Sequence, residues 1–232
     1  GIGQVKGDDW GFGVTAGALY EPVKGTRFGL SWRSSVSHEL RGDASFEGVP
    51  PTPAAQASFA NTNGRAKVTT PDIIAFGAYH ELTSNFAVMA DIQWTNWSRF
   101  KELRIRYSNP LRADSVTEEH WKDSWFFALG AAYKVNDKLT LRAGVAYDQT
   151  PVDDQFRTPR IPDEDRYWAS LGVGYQFTDT IRTDLGYTHV FAKKSHVNLA
   201  DNLTGPDAFR GNLSASYKAH VDIVALQTKI SF

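Results

Sequence analysis

Residues 224–232 read Val-Ala-Leu-Gln-Thr-Lys-Ile-Ser-Phe, and their polarity alternates from one residue to the next. The side that runs from Val224 to Phe232 carries no charge, whereas Lys229 lies on the other side. A period of two predicts a β-strand, because successive side chains of a strand point to opposite faces. The stretch also stops on an aromatic residue, and aromatic girdles flank the apolar band of outer-membrane barrels. It therefore predicts the closing strand of such a barrel.

The same alternation recurs along the chain and predicts nine strands. Eight uncharged strand faces begin at Trp10, Phe28, Phe86, Trp125, Leu139, Tyr167, Ile181 and Val224. One more strand is expected within 66–80, where the phase is not settled. The opposite faces carry charges and many glycines. The predicted fold class is all-β, a transmembrane antiparallel β-barrel whose apolar face meets lipid. A soluble β-sandwich or a lipocalin-like barrel is the alternative, since a second sheet could cover the same apolar face.

Two further patterns favour the membrane barrel. Aromatic residues lie at both ends of the uncharged faces, as with Trp125 and Tyr133, which is typical of the two membrane interfaces. The connections also alternate in length, as short periplasmic turns and long extracellular loops do. The short ones are expected near 21–26, 81–85, 134–138 and 178–180, and the long ones near 41–65, 103–121, 149–165 and 192–217.

The amino-acid composition argues against several classes of function. The 25 basic and 26 acidic residues nearly balance, which argues against a nucleic-acid partner. No apolar run approaches the roughly 18–20 residues of a membrane helix. The absence of cysteine excludes disulfides and thiolate metal sites, and the six histidines show no metal-binding spacing. No metal or cofactor is predicted, and the chain is not expected to be an enzyme.

Nine strands is an odd count, whereas a bacterial barrel made from one chain has an even number. We therefore expect residues 1–232 to form the C-terminal part of a single, larger barrel domain. A miscount within 41–66 is the alternative.

Four segments carry a family resemblance. They are 91–103 (Asp-Ile-Gln-Trp-Thr-Asn-Trp-Ser-Arg-Phe-Lys-Glu-Leu), 121–125 (Trp-Lys-Asp-Ser-Trp), 141–152 (Leu-Arg-Ala-Gly-Val-Ala-Tyr-Asp-Gln-Thr-Pro-Val) and 157–168 (Arg-Thr-Pro-Arg-Ile-Pro-Asp-Glu-Asp-Arg-Tyr-Trp). From about residue 8 onward, the chain resembles the outer-membrane long-chain fatty-acid and hydrocarbon transporters of FadL/TodX type. The resemblance implies a 14-stranded barrel with an N-terminal hatch and a lateral opening at a kinked strand. This chain would supply the last nine strands, without the hatch or the kinked strand.

The implied function is passive transport of hydrophobic small molecules across the outer membrane of a Gram-negative bacterium. The implied surroundings are the lipid bilayer and lipopolysaccharide. Two alternatives stay open: a general diffusion porin, and a structural or receptor barrel whose loops contact a phage or a protein.

Four inward positions near the extracellular strand ends are large and apolar: Trp97, Phe126, Trp168 and Val190. They predict a ligand pocket, because apolar sites with few polar groups hold hydrophobic molecules. Packing against inward-folded loops or against the hatch is the alternative. The resemblance implies that the family carries a lysine that meets the fatty-acid carboxylate, and Thr117 stands at the matching position of this chain. Because threonine lacks that positive charge, the resemblance also allows an uncharged hydrocarbon as the substrate.

Two further sets of residues are candidates. Phe100, Leu103 and Leu111 could form a groove that first captures the ligand. The inward charges could line a path, or pair across strands and stiffen the wall; they are Arg33, Asp91, Arg142, Arg182, Asp184 and Lys229. The acidic run 163–165 beside Arg166 predicts a rigid loop, since its prolines restrict φ and its carboxylates can cap the turn.

Overall fold

A computed structural model describes residues 2–200 and 211–231, and almost all of its regular structure is antiparallel β. In chain order the strands are β1 (Ile2–Asp8), β2 (Thr15–Val23), β3 (Thr26–Arg33), β4 (Ser37–Glu47), β5 (Thr62–Thr69), β6 (Ile73–Glu81), β7 (Phe86–Thr95), β8 (Glu102–Tyr107), β9 (Ser115–Glu118), β10 (Ser124–Lys134), β11 (Leu139–Asp148), β12 (Arg166–Gln176), β13 (Ile181–Ala192), β14 (Ser195–Leu199), β15 (Leu213–Tyr217) and β16 (His220–Ile230). A short helix α1 (Pro53–Ser58) lies between β4 and β5, and a 3₁₀ turn (Trp97–Arg99) follows β7.

Nine strands form one large sheet, in the order β16-β13-β12-β11-β10-β7-β6-β3-β2. Each neighbour in this sheet is the next of the nine along the chain, so the sheet is a simple meander. The number of strands matches the sequence prediction. The first strand begins at Thr15 rather than Trp10, and Phe232 lies outside the described residues. β2 and β16 form the two edges, and a barrel of 14 strands stays a prediction.

The strand register confirms the predicted phase of the apolar face. Trp94 lies opposite Ile74 on one side and Trp125 on the other. Leu129 lies opposite Ala90 and Val145. The face is also exposed, with Leu171 65% and Leu226 71% accessible. A continuous exposed apolar surface of this size indicates a lipid-facing wall. We call it the outer face and the opposite side the inner face.

Short connections join the strands at one end of the large sheet, which we call the turn end. The tightest is Lys24–Gly25, where Gly25 has a φ of +84° that favours glycine. The other end carries the long connections, and we call it the loop end. The prediction that the long connections are loops is wrong in part: β14 and β15 lie in 192–217, and β4, β5, β8 and β9 lie in 41–65 and 103–121.

These four strands and β1 form a second sheet at the loop end, in the order β1-β4-β5-β8-β9. We call this sheet the extension. The single strand expected within 66–80 is in fact two, because β5 ends at Thr69 and β6 begins at Ile73. β14 and β15 form a separate hairpin. Among residues 2–200 and 211–231, no helix has the length and apolar character needed to cross a membrane.

Candidate functional site

Near the loop end, the inner face of β10–β13 carries a patch of large apolar side chains. Trp168 lies opposite Val190 on β13 and Ala146 on β11. The rings of Phe126 and Trp168 meet edge to face, with centroids 6.2 Å apart. Val190 is only 4% exposed. The structure thus brings together three of the four predicted pocket residues, and we call Phe126, Trp168 and Val190 the ring patch.

Small side chains form the inner wall directly below the ring patch, toward the turn end. Gly144 lies opposite Gly130 on β10 and Ser170 on β12. The Ser170 and Thr188 hydroxyls are 2.8 Å apart and hydrogen-bonded. A Cβ added at Gly186 would have no heavy atom within 4 Å. The wall therefore leaves open space beneath the ring patch. The alternating pattern of the sequence contains these inward glycines, but it gives no signal that assigns them to a site.

Two buried donors on the inner face of β12 have no hydrogen-bond partner among the described residues: Trp168 Nε1 and Arg166 Nε. The terminal nitrogens of Arg166 are paired, since they lie 3.1 Å from Asp148 and 3.1 Å from Asp163. Because an unpaired buried donor costs about 1–3 kcal/mol, a ligand oxygen beside the ring patch would recover a hydrogen bond there.

Trp97 lies higher, in the 3₁₀ turn, and its ring packs against Trp121 with centroids 4.8 Å apart. Phe100 also meets Trp121, at 5.0 Å. The Trp121 Nε1 donates to Glu119 over 2.9 Å. The structure therefore places Trp97 in a second aromatic cluster, centred on Trp121. Trp121 lies in the segment 121–125 that carries the family resemblance, but the alternating pattern gives no signal that assigns it to a site.

The three predicted capture residues are spread along the β8–β9 region. Phe100 faces Trp121, and Leu103 lies opposite Thr117 within the extension. Leu111 lies beyond the end of β8 and is 67% exposed. At about 3.3 Å per residue, Leu103 and the end of β8 are already roughly 13 Å apart. The structure does not bring the three together into one groove.

Three of the predicted inward charges form one cluster near the turn end. Asp184 accepts from Arg142 at 2.7 Å and from Arg182 at 3.0 Å. Gly174 makes room for them, since a Cβ there would lie 2.2 Å from Asp184. Lys229 adjoins this cluster, because it lies opposite Arg182. The other two are dispersed: Asp91 lies opposite Gly77 and Ala128, and Arg33 ends β3.

The loop between β11 and β12 is held by Arg157, which is 2% exposed. Its guanidinium donates to Glu164 at 2.8 Å, to the Asp163 carbonyl at 2.9 Å and to the His196 carbonyl at 3.2 Å. Asp165 accepts from Tyr147 and Lys193. Each carboxylate in 163–165 therefore has a protein partner, as a rigid loop requires. Among the described residues, no group of three or more His, Asp or Glu could hold a metal ion.

Residues 1–232 match the family described as outer membrane protein transport protein (OMPP1/FadL/TodX). The chain belongs to this family. It is 34% identical over 225 residues to outer membrane protein P1 of Haemophilus influenzae, covering 96% of this chain and 48% of that protein. It is 31% identical over 207 residues to the long-chain fatty acid transport protein of Escherichia coli K12, covering 85% and 45%.

Two solved structures of the OMPP1/FadL/TodX family are similar to this chain. A Pseudomonas aeruginosa FadL homologue superposes with a TM-score of 0.82 at 26% identity, covering 94% of this chain and 52% of the homologue. The toluene transporter TodX of P. putida superposes with a TM-score of 0.62 at 20% identity, covering 95% and 49%, and this likeness concerns the fold alone. The chain spans about half the length of the relatives it matches.

Family membership decides between the fold alternatives. The chain is part of a transmembrane antiparallel β-barrel of the Gram-negative outer membrane, and neither a β-sandwich nor a lipocalin-like barrel. Members of the OMPP1/FadL/TodX family are transporters or channels rather than enzymes.

Glu119 provides a pH-dependent test of the aromatic cluster centred on Trp121. It is 5% exposed, and burial raises the pKa of its carboxyl, against the opposing effects of Trp121 and Arg160. A raised pKa in the folded state means that stability is greatest below the ordinary value of about 4.3 and is lost as pH rises through the folded-state pKa. We expect Glu119→Gln, which keeps an acceptor for Trp121, to be more stable than the native chain at neutral pH and to lose this part of the pH dependence.

Tryptophan fluorescence during denaturant unfolding, repeated from about pH 4 to neutral, measures this effect across the range in which a carboxyl of raised pKa titrates. Glu118→Gln is the matched control, because the neighbouring Glu118 side chain is 54% exposed. Identical pH profiles for Glu119→Gln and the native chain would contradict the prediction.

Proposed function

We propose that the protein carries hydrophobic small molecules, long-chain fatty acids or hydrocarbons, passively across the outer membrane, and that the ring patch is its apolar ligand pocket. The names of the E. coli relative and of TodX, a fatty acid transport protein and a toluene transporter, support this substrate range. The observation that carries the proposal is the ring patch above a wall of glycine and serine. The whole protein's activity is part of the proposal, because the chain spans about half of its relatives.

Three kinds of side chain follow one another along the inner face from the loop end to the turn end. The ring patch offers an apolar contact, the small residues below it leave volume, and the Arg142–Asp184–Arg182 cluster lies further toward the turn end. An alkyl chain gains about 25 cal/mol for each Å² of apolar surface that leaves water. Large aromatic side chains such as the half-buried Phe126 and Trp168 are not expected to face the water-filled lumen of a porin, so the general-porin alternative is not favoured.

The test compares uptake into vesicles that carry lipopolysaccharide in their outer leaflet. A long-chain fatty acid, an alkylbenzene and a small sugar are offered to the whole native protein, to its Trp168→Ala variant and to its Trp94→Ala variant. The Trp94 ring is on the outer face, so its variant is the matched control. We expect Trp168→Ala to lower the uptake of both hydrophobic solutes by about tenfold, since burial of a large side chain is worth about 1.5–3 kcal/mol.

Trp94→Ala should leave uptake unchanged. Passage of the sugar as fast as the fatty acid would favour an open pore and contradict the proposal. Equal uptake by the two tryptophan variants would show that the ring patch does not lie on the path that the ligand takes through the barrel.

A further inference from the structure

Three polar side chains lie together on the outer face of β13 and β16. His189 lies opposite Asp222, and its Nδ1 is 2.6 Å from the Asp222 carboxylate. The Tyr187 hydroxyl donates to the same carboxylate oxygen over 2.7 Å. These three residues, which we call the polar cluster, share their face with the exposed pair Leu185 and Leu226. A hydrogen-bonded group that includes a carboxylate therefore lies on the lipid-facing wall.

The polar cluster lies just below the aromatic residues that mark the membrane interface at the loop end. On β13 this aromatic residue is Phe191, which lies opposite Tyr167 and packs against the His189 ring with centroids 4.2 Å apart. His189 is two residues further from the loop end, or about 7 Å along the strand. The Asp222 side chain is nevertheless 51% exposed. Because an ionisable group that faces lipid is costly and commonly marks a functional site, we expect a polar partner within the leaflet.

An apolar depression of about 560 Å³ adjoins the polar cluster on the outer face of β10–β13, and we call it the outer depression. Tyr187 and His189 line one side of it, and Leu129 and Leu171 also line it. Its small lining side chains are Ala131, Ala143 and Ala169. Since these alanines leave the space between the larger side chains open, an alkyl chain in the outer depression would contact more protein surface than on a flat wall.

Positive charge lies above the polar cluster, beyond the ends of β13 and β16. Lys193 and Lys194 directly follow β13, and Lys218 stands two residues before β16 begins. All three residues are exposed, and we call them the lysine group. A backbone hydrogen bond of 3.3 Å joins the two segments directly beside Lys193 and Lys218.

The carboxylates nearby neutralise only part of the lysine group. Lys193 is paired with Asp165 over 2.7 Å. Lys194 and Lys218 form no ion pair within the part of the chain that the structure describes. Two positive charges just above the aromatic residues are therefore available to an anion.

The lysine group, the polar cluster and the outer depression form one strip along the outer face. From the loop end downward, the strip offers positive charge, then hydrogen-bonding groups, then an apolar hollow. The long connections of an outer-membrane barrel are extracellular, so the strip faces the outer leaflet. Lipopolysaccharide, the lipid of that leaflet, has phosphates on its sugars, amide and hydroxyl groups at the start of its acyl chains, and alkyl tails below. Its chemical groups therefore follow the same order as the strip.

We propose that the strip is a binding site for one lipopolysaccharide molecule of the outer leaflet. Its phosphates bind the lysine group, an amide or hydroxyl group of its acyl chains hydrogen-bonds to the polar cluster, and one acyl chain lies in the outer depression. Hydrogen bonds between ionised partners, such as lysine and phosphate, are stronger than neutral ones, which favours this lipid over neutral lipids. The ring patch lies on the inner face, so the inference goes beyond the proposed transport and does not depend on it.

The test uses the whole protein in micelles of a nonionic detergent. Native mass spectrometry follows the number of lipid molecules bound per protein during titration with lipopolysaccharide of short sugar chain, with its dephosphorylated form and with phosphatidylglycerol. The headgroup variant combines Lys194→Gln and Lys218→Gln. Its control combines Lys134→Gln and Lys138→Gln, which removes the same charge at the turn end.

A second pair of variants tests the outer depression. Ala169→Phe fills it with a ring. Ala78→Phe is the matched control, because Ala78 is on the outer face opposite Phe28 and Ala90 and does not line the depression. Circular dichroism verifies that every variant keeps its strand content.

We expect the headgroup variant and Ala169→Phe each to bind lipopolysaccharide about tenfold more weakly than the native protein, while both controls keep the native affinity. Removal of the phosphates should weaken binding to the native protein and have little effect on the headgroup variant. Phosphatidylglycerol is anionic but lacks hydroxylated acyl chains, and it should bind the native protein more weakly than lipopolysaccharide does.

Native affinity for lipopolysaccharide in either the headgroup variant or Ala169→Phe would overturn the inference. Equal affinity of the native protein for lipopolysaccharide and phosphatidylglycerol would also overturn it, in favour of an unselective lipid surface. The transport proposal concerns the inner face, so it stands or falls with the uptake experiment and not with these outcomes.

Discussion

Replacement of Arg157 by alanine is expected to destabilise the loop between β11 and β12 by about 3–5 kcal/mol, because removal of one partner leaves a buried charge uncompensated. The guanidinium is 2% exposed and pairs with Glu164, whose side chain is only 18% exposed. It also satisfies two backbone carbonyls, of Asp163 and His196. No other group of the variant could replace all of these donors at once. We expect the segment 149–165 to lose its fixed conformation while the large sheet remains folded.

Limited proteolysis and amide hydrogen exchange of 149–165 measure this loss directly. Arg160→Ala is the matched control, because Arg160 is an exposed arginine of the same loop whose side chain bonds to Thr117. The control should change local stability by less than about 1 kcal/mol. Equal protection of 149–165 in the two variants would show that the Arg157 contacts do not hold the loop.

Replacement of Gly186 by phenylalanine is expected to block passage without unfolding the sheet. Gly186 is on the inner face, opposite Gly172, and a Cβ there meets no atom within 4 Å. A ring at this point occupies volume that an alkyl chain would use, and crowding of about 1–3 kcal/mol would lower passage by about tenfold or more. Uptake of the fatty acid into lipopolysaccharide-bearing vesicles measures the effect.

Ala169→Phe is the control for this variant. Ala169 is on the outer face, where it lines a shallow depression of about 560 Å³ with Leu129 and Val145. Its ring would enter lipid rather than the lumen, so uptake should keep the native rate. Unchanged uptake by Gly186→Phe would mean that the ligand leaves the barrel above this level.

The large sheet could be predicted from the sequence because each of its strands has two chemically distinct faces. On β10, for example, Phe127 and Leu129 alternate with Ala128 and Gly130, and a shift by one position would turn the wrong set toward lipid. The number of strands, and the phase of eight of the nine, therefore follow from the local pattern. The short turns follow for the same reason, since they interrupt that pattern for only a few residues.

The extension could not be predicted in this way. β5 alternates Arg65 and Lys67 with Ala66 and Val68, which has the composition of an exposed loop as much as that of a strand. The pairing of β4, β5 and β8 depends on a register between distant segments, which local periodicity does not contain. The burial of Arg157 likewise depends on His196, 39 residues away.

Within the candidate site, the inward phase places Phe126, Trp168 and Val190 on one face, and the structure brings them together. Trp97 follows the end of β7 in a 3₁₀ turn, so the strand phase no longer applies to it. The separation of Phe100 and Leu111 has the same origin, because both lie outside regular strands.

β3 and β4 pair with β6 and β5 in one common register across two separate sheets, so a register error in one sheet is also an error in the other. A slip of one position in the membrane part would turn Trp32 and Phe76 away from lipid, and the same slip would turn Leu40 and Ala66 of the extension over as well. A misaligned intermediate is therefore destabilised twice: its membrane part is destabilised in lipid, and the extension is destabilised outside the lipid. We expect such misaligned pairings to be short-lived, so that the correct register of each sheet favours the correct register of the other during insertion.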